Sequence, residues 1–260
     1  MVFDWFRNRR RRTLRERPFP DAWRTIVERN VLDFHDLAPD ERQRVLGYVQ
    51  VFTAEKNWEG CGGLAMTDEV RVTIAAQVGI LTVNLAEPRY FDAVLSILVY
   101  PQAYVNRNAE SYHGGVLTLG DSFRSGEAWY RGPVVLSWAD VLGGALRHDR
   151  GNVVYHEFAH QLDMLNGGSC DGVPPLETRD QDARWLRVND AEYARLVQAC
   201  EHGAHTVIGC YGATNRAEFL AVTTETFFTR PHALREHHPE LYDVFREVYR
   251  QDPAERMKGR

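Results

Sequence analysis

Residues 153 to 165 read Val-Val-Tyr-His-Glu-Phe-Ala-His-Gln-Leu-Asp-Met-Leu, and the placing of a few polar residues in this apolar run constrains the chain more than any other feature. Phe158, Ala159, Leu162 and Leu165 fall at helical spacings, which predicts a largely buried helix. Residues four apart share a helix face, so His156 and His160 stand one above the other, close enough to hold one ion. Two imidazoles and the Glu157 carboxylate would be costly to bury without a partner, and a metal ion satisfies them. The pattern HExxH points to a zinc hydrolase, with Glu157 beside the water that the metal activates. The competing reading is a surface His/Glu/His cluster or a pair of core histidines bonded to carbonyls. Asp163, one turn beyond His160, is placed to accept the proton on that ligand's outer ring nitrogen, or is a solvated carboxylate.

Composition excludes several partners. The 260 residues carry a net charge of -5, which gives no basic footprint for direct nucleic-acid binding. No apolar run reaches the 18 or more residues of a transmembrane segment. Cys61, Cys170, Cys200 and Cys210 show no CxxC spacing and read as reduced thiols in a cytoplasmic protein. Five arginines lie between positions 7 and 12, next to Trp5 and Phe6. Residues 1–19 are expected to form a flexible, solvated tail, as charge runs usually do; the other reading is a weak contact with a membrane surface or an acidic partner.

Residues 20–260 parse as a single α+β domain with a mixed first half and a helical second half. Helices are predicted over 39–58 and 67–85, and a strand over 93–100 that stops at Pro101. The segment containing Gly114, Gly115, Gly120 and Gly126 is turn-rich, with strand character at 116–119. Residues 132–138 form another strand, whose Pro133 is tolerated best on a sheet edge. Such an edge beside the metal helix is where an extended peptide substrate could be added as a strand. Asn166-Gly167-Gly168 stops the metal helix, 172–182 is a loop, and helices are predicted at about 190–201, 215–229 and 239–250.

A catalytic zinc takes three protein ligands and keeps a fourth position for water. The continuation HExxHxxGxxH is absent, because Asp163 and Asn166 stand where Gly and His would be needed. Among later carboxylates, Glu177 lies in a proline-containing loop, and Glu192 and Glu201 fall on a polar helix. Glu218 opens a helix that soon becomes apolar, but Asn215 three residues earlier makes it equally readable as half of a capping box. Glu225, seven residues on, shares its face and reads as ligand, as second acceptor for a ligand, or as surface charge. Tyr211 could donate a hydrogen bond to a developing oxyanion, although local sequence favours an ordinary loop tyrosine.

Taken together, these segments resemble the Mlc titration factor A family, bacterial zinc-dependent peptidases of gluzincin type whose catalytic core is similar to that of anthrax lethal factor. The resemblance spans about residues 20–255. It rests on Leu98-Val99-Tyr100-Pro101, Ser125 to Trp129, Gly132 to Trp138, His156 to Asp163, Asn166-Gly167, Tyr211 to Phe228 and Tyr249 to Pro253. It implies a zincin-like fold and one Zn²⁺ held by His156, His160 and Glu218. It makes Glu157 the general base and Tyr211 the transition-state helper, with Glu225 and Asp163 behind the ligands. It further implies aminopeptidase-like activity on peptides and binding of Mlc, a repressor of glucose-uptake genes. Residues 7–12 and parts of 166–210 depart from the family pattern. The alternative is a zinc-stabilised regulatory protein that sequesters a repressor and hydrolyses peptides only incidentally.

Overall fold

The computed structural model describes residues 2–257 apart from 86–89, 103, 114–115, 125, 129–131, 148–150 and 168. Ser125 and Trp129, which help carry the family resemblance, lie outside the described residues, as do Gly114, Gly115 and Gly168. Helices α1 (Val2–Glu16) and α2 (Asp21–Asn30) lead through a 3₁₀ turn at Leu32–Asp36 into α3 (Pro39–Glu55), strand β1 (Asn57–Gly60) and α4 (Asp68–Thr82). Strands β2 (Ser96–Tyr100), β3 (Tyr104–His113), β4 (Val116–Arg124), β5 (Gly126–Ala128) and β6 (Val134–Ser137) follow, then α5 (Trp138–Leu146) and α6 (Val153–Asp163). The remainder is helical: α7 (Arg179–Glu201), a 3₁₀ turn at Cys210–Ala213, α8 (Arg216–Thr229), α9 (Pro231–His237), α10 (Pro239–Tyr249) and α11 (Pro253–Arg256). This is an α+β architecture, as the periodicities predict.

The main sheet has the order β1-β2-β6-β5, parallel across β1, β2 and β6 and antiparallel at β5. β3 and β4 pair separately as an antiparallel ribbon. Residues 132–138 do not supply the edge. β6 is buried along its whole length and hydrogen-bonded on both sides, and Pro133 precedes its first residue, so its missing N–H costs the ladder nothing. The edge near α6 is β5. Trp138, read as the strand's end, opens α5 instead, with Ser137 Oγ accepting from Asp140 N–H at its start.

α4 is buried almost continuously from Val72 to Thr82, as befits a helix packed between α3, α2 and α6. Side chains from both halves of the chain form one cluster, in which Phe52 and Phe91 meet Phe158 of α6, and Tyr155 meets Phe228 of α8. α6 is thus fixed from the sheet side and from the helical side at once.

Residues 2–16 are not the flexible tail expected from their charge. They form α1, which packs on α3. Leu14 and Arg11 are buried, and the Arg11 guanidinium donates to Glu55 and Asp92 and lies 4.4 Å over the Tyr90 ring. A buried cation with matched acceptors orders a segment that charge density alone would leave in solvent. α7 also begins earlier than expected, at Arg179. Thr178 and Gln181 cap it reciprocally, with Thr178 Oγ1 accepting from Gln181 N–H and Gln181 Oε1 accepting from Thr178 N–H.

Candidate metal centre

α6 starts at Asn152, whose Oδ1 accepts from Tyr155 N–H at 3.0 Å while its Nδ2 donates to Gln77 Oε1 at 2.9 Å. This sets the helix rotation, and with it the two histidines. His156 Nε2 and His160 Nε2 lie 3.2 Å apart. Glu218, in the first turn of α8, brings Oε2 to 3.1 Å from His156 Nε2 and 3.6 Å from His160 Nε2. Asn215 does cap α8, accepting from Glu218 N–H at 2.9 Å, but the Glu218 carboxylate turns away from the cap toward the histidines. The cap and the ligand position are therefore both occupied, by different atoms of one helix turn.

The donor set fits a metal ion. Ligands held tetrahedrally at 2.0–2.1 Å from zinc stand about 3.3 Å from one another, the spacing found here within a few tenths of an ångström. His156 Nδ1 faces Glu225 Oε1 at 2.7 Å, so its proton is best placed there and the Nε2 lone pair turns inward. Glu218 Oε2 is buried without a hydrogen bond. Two ring lone pairs and a carboxylate oxygen converging within hydrogen-bond distance repel one another unless a cation lies between them. Among the described residues, His156, His160 and Glu218 are the group able to share an ion.

In the metal-free protein a proton takes the cation's part. Burial opposes charge on His156, but its close contacts with the Glu218 and Glu225 carboxylates outweigh it and raise its pKa well above 6.5. Burial likewise opposes ionisation of Glu218, yet its contacts with His156 and His160 hold it below the usual carboxylate range. Glu157 is buried, and desolvation pushes its pKa up to about 7 against the influence of the two histidines.

Glu225 reaches its place because Gly151 has no side chain. A Cβ there would come within 2.5 Å of Glu225 Oε2, which accepts from Asn152 N–H at 2.6 Å. Asp163 does not touch His160. Its carboxylate accepts instead from the Gly172 and Val173 N–H groups at 2.8 and 3.2 Å, because the chain after α6 folds back over it. Cys170 Sγ lies 3.5 Å from the outer nitrogen of His160, Nδ1. Although Cys170 is exposed as a residue, desolvation of its sulfur and the neighbouring Asp163 raise the pKa, which keeps it a thiol. From sequence, Cys170 reads as a reduced thiol, which it is, but has no place beside His160, because the course of the chain after α6 decides that contact.

Tyr211 is exposed on the Cys210–Ala213 turn, its ring centroid 6.0 Å from that of His156. The turn is tied to the end of α7 by a disulfide between Cys200 and Cys210. The expectation of four reduced thiols is therefore corrected for these two. α7 packs against the turn and brings the two Cα atoms to 5.7 Å, inside the span a disulfide bridges. The remaining candidate carboxylates lie elsewhere: Glu177 pairs with Arg250, Glu192 with His238 and Arg195, and Glu201 ends α7.

The sequence profile of the glucose-regulated metallo-peptidase M90 family matches residues 5–250. The chain belongs to this family. Among its relatives, the "Uncharacterized protein slr2042" of Synechocystis sp. is 39% identical over 252 residues, covering 96% of this chain and 90% of that protein. Proteins named Mlc titration factor A from Yersinia pestis and Yersinia pseudotuberculosis are each 32% identical over 228 residues, 84% of this chain and 80% of theirs. The M90 match begins inside α1, so the arginine-rich helix is part of the family span and not an appendage to it. No described helix is long and apolar enough to cross a membrane.

Proposed function

We propose that this M90 protein is a zinc-dependent peptidase with aminopeptidase-like preference, built on His156, His160 and Glu218 as metal ligands. The observation that carries this reading is the convergence of three acceptor atoms 3.1–3.6 Å apart, with Glu225 turning His156 toward them. A structural zinc site would close its fourth position with another ligand and would have no use for the buried Glu157 beside it.

Zinc held at this site supplies Lewis acidity, making water acidic enough to ionise near neutral pH and polarising the scissile carbonyl. Glu157 accepts the proton of the attacking water and returns it to the leaving amine. The Tyr211 hydroxyl donates a hydrogen bond to the oxyanion that develops on the carbonyl oxygen. Glu225 keeps the His156 ring in one tautomer and one orientation throughout. β5, as the sheet edge near α6, is suited to hold an extended substrate backbone.

Glu157→Gln tests the reading directly. It should retain zinc by elemental analysis and lose peptide hydrolysis by about 10² to 10⁴-fold; undiminished turnover overturns the assignment. A peptide library with free and blocked N-termini then checks the preference, which requires cleavage only where the α-amine is free.

The name of the Yersinia relatives favours a second reading, in which the protein binds an Mlc-like repressor and hydrolysis is incidental. A repressor partner would place the protein in the cytoplasm, a location the Cys200–Cys210 disulfide does not by itself favour. A pull-down with Glu157→Gln separates the readings: a stable repressor complex that survives zinc removal supports the binder.

A further inference from the structure

The outward face of α1 has no role in the metal centre. Its inward face docks the helix through Arg7, Arg11 and Leu14, which pair with Asp92 and Glu55 or pack against α3. At 100° per residue this directs Trp5, Phe6, Arg9 and Arg12 to the opposite side, with Arg10 at its margin. Trp5 and Phe6 are 55% and 59% exposed, far more than a folded chain needs to leave in water, and their rings meet edge to face at 4.9 Å. The Arg9 guanidinium sits 5.4 Å from the Trp5 ring. Arg10 and Arg12 have no ion-pair partner among the described residues. Residues 5–17 contain seven arginines and a single acid, Glu16, within a chain whose net charge is -5.

We infer that this face is a docking surface for an anionic lipid bilayer. Tryptophan and phenylalanine settle at headgroup depth, and arginines beside them meet lipid phosphates. A nucleic-acid duplex would satisfy the arginines and leave the adjacent aromatic pair without an apolar environment. An otherwise acidic chain is also a poor match for an extended polyanion. The bilayer contact is local, within about one Debye length of the helix, so the acidity of distant surfaces is screened. Because the inward face fixes α1 to α3, docking would hold the whole body in one orientation on the membrane.

The test uses the full chain and sedimentation with vesicles of phosphatidylcholine, with and without phosphatidylglycerol. Binding is expected only with phosphatidylglycerol, and high salt should release it. Each arginine near an anionic surface multiplies binding about fivefold, so the triple variant Arg9→Gln/Arg10→Gln/Arg12→Gln should lose on the order of 100-fold. Trp5→Ser/Phe6→Ser should weaken binding at unchanged charge, with circular dichroism and melting as for the parent in both variants. Equal binding to neutral vesicles, salt-insensitive binding, or unaltered partition of the variants overturns the proposal. So does binding of a DNA duplex, but of no vesicle, that the arginine variant loses.

Discussion

Around Arg11 the protein buries a guanidinium between Glu55 and Asp92; around His156 it buries two imidazoles among Glu157, Glu218 and Glu225. Both clusters join segments far apart in sequence, but their charges are balanced differently. The first carries a permanent cation in its own chain, since an arginine stays protonated throughout the working range. The second has only titratable cations, and must borrow its positive charge from a proton or a metal ion. The first kind of cluster fastens a structure together, whereas the second is incomplete until something is bound.

Removing metal should give the largest effect. A site filled at a thousand times its Kd adds about 4 kcal/mol of stability, all of which a chelator should abolish. The loss should depend on pH. Glu157 has a folded pKa of about 7, above its ordinary 4.5, so its contribution in metal-free protein is present below 4.5 and lost as pH rises through 7. His156, raised above 6.5, contributes stability that is full below 6.5 and lost as pH climbs through its folded value. Melting curves with and without chelator should therefore diverge as pH is raised from 4.5 through about 7 and beyond. Parallel curves would mean that protons do not occupy the metal's place.

Arg11→Met should cost up to about 3 kcal/mol by leaving the half-buried Glu55 without its partner. It should do so equally with and without metal, as read from urea titrations. A fall in metal affinity would show that the two clusters are coupled. Glu225→Gln should weaken metal binding by up to about 100-fold, measured by chelator competition, since it replaces the carboxylate that orients His156. Cys170→Ala should weaken it by only about tenfold, because a thiol at 3.5 Å restrains His160 more loosely. The reverse order would make the Cys170 side the stiffer support of the centre.

The buried helix carrying His156, Glu157 and His160, and the approach of its two histidines, were legible because four-residue spacing on an apolar helix leaves little freedom of interpretation. Glu218 was ambiguous from sequence for a physical reason: Asn215 caps the helix whether or not the carboxylate turns to the histidines, so one pattern serves both outcomes. α1 was misread because the partners of Arg11 lie 44 and 81 residues away, where no local rule could find them. The Cys200–Cys210 pair, only ten residues apart in sequence, was hidden for a different reason, since its spacing matches no short motif. Asp163 was placed correctly on its helix and assigned the wrong partner, because helical geometry fixes where a side chain starts and the loop that follows decides what it meets.

Asn152 spends every polar atom it has. Its N–H binds Glu225, its Oδ1 caps α6, and its Nδ2 reaches Gln77 and, at 3.4 Å, the Gly144 carbonyl. Aspartate would cap as well but set a second oxygen against two oxygen acceptors, and serine would cap but fall short of Gln77. Position 152 thus admits essentially one letter of the twenty, although its side chain bonds to neither histidine and only its carbonyl meets the His156 N–H; a sequence in which it varies should have re-aimed the whole helix.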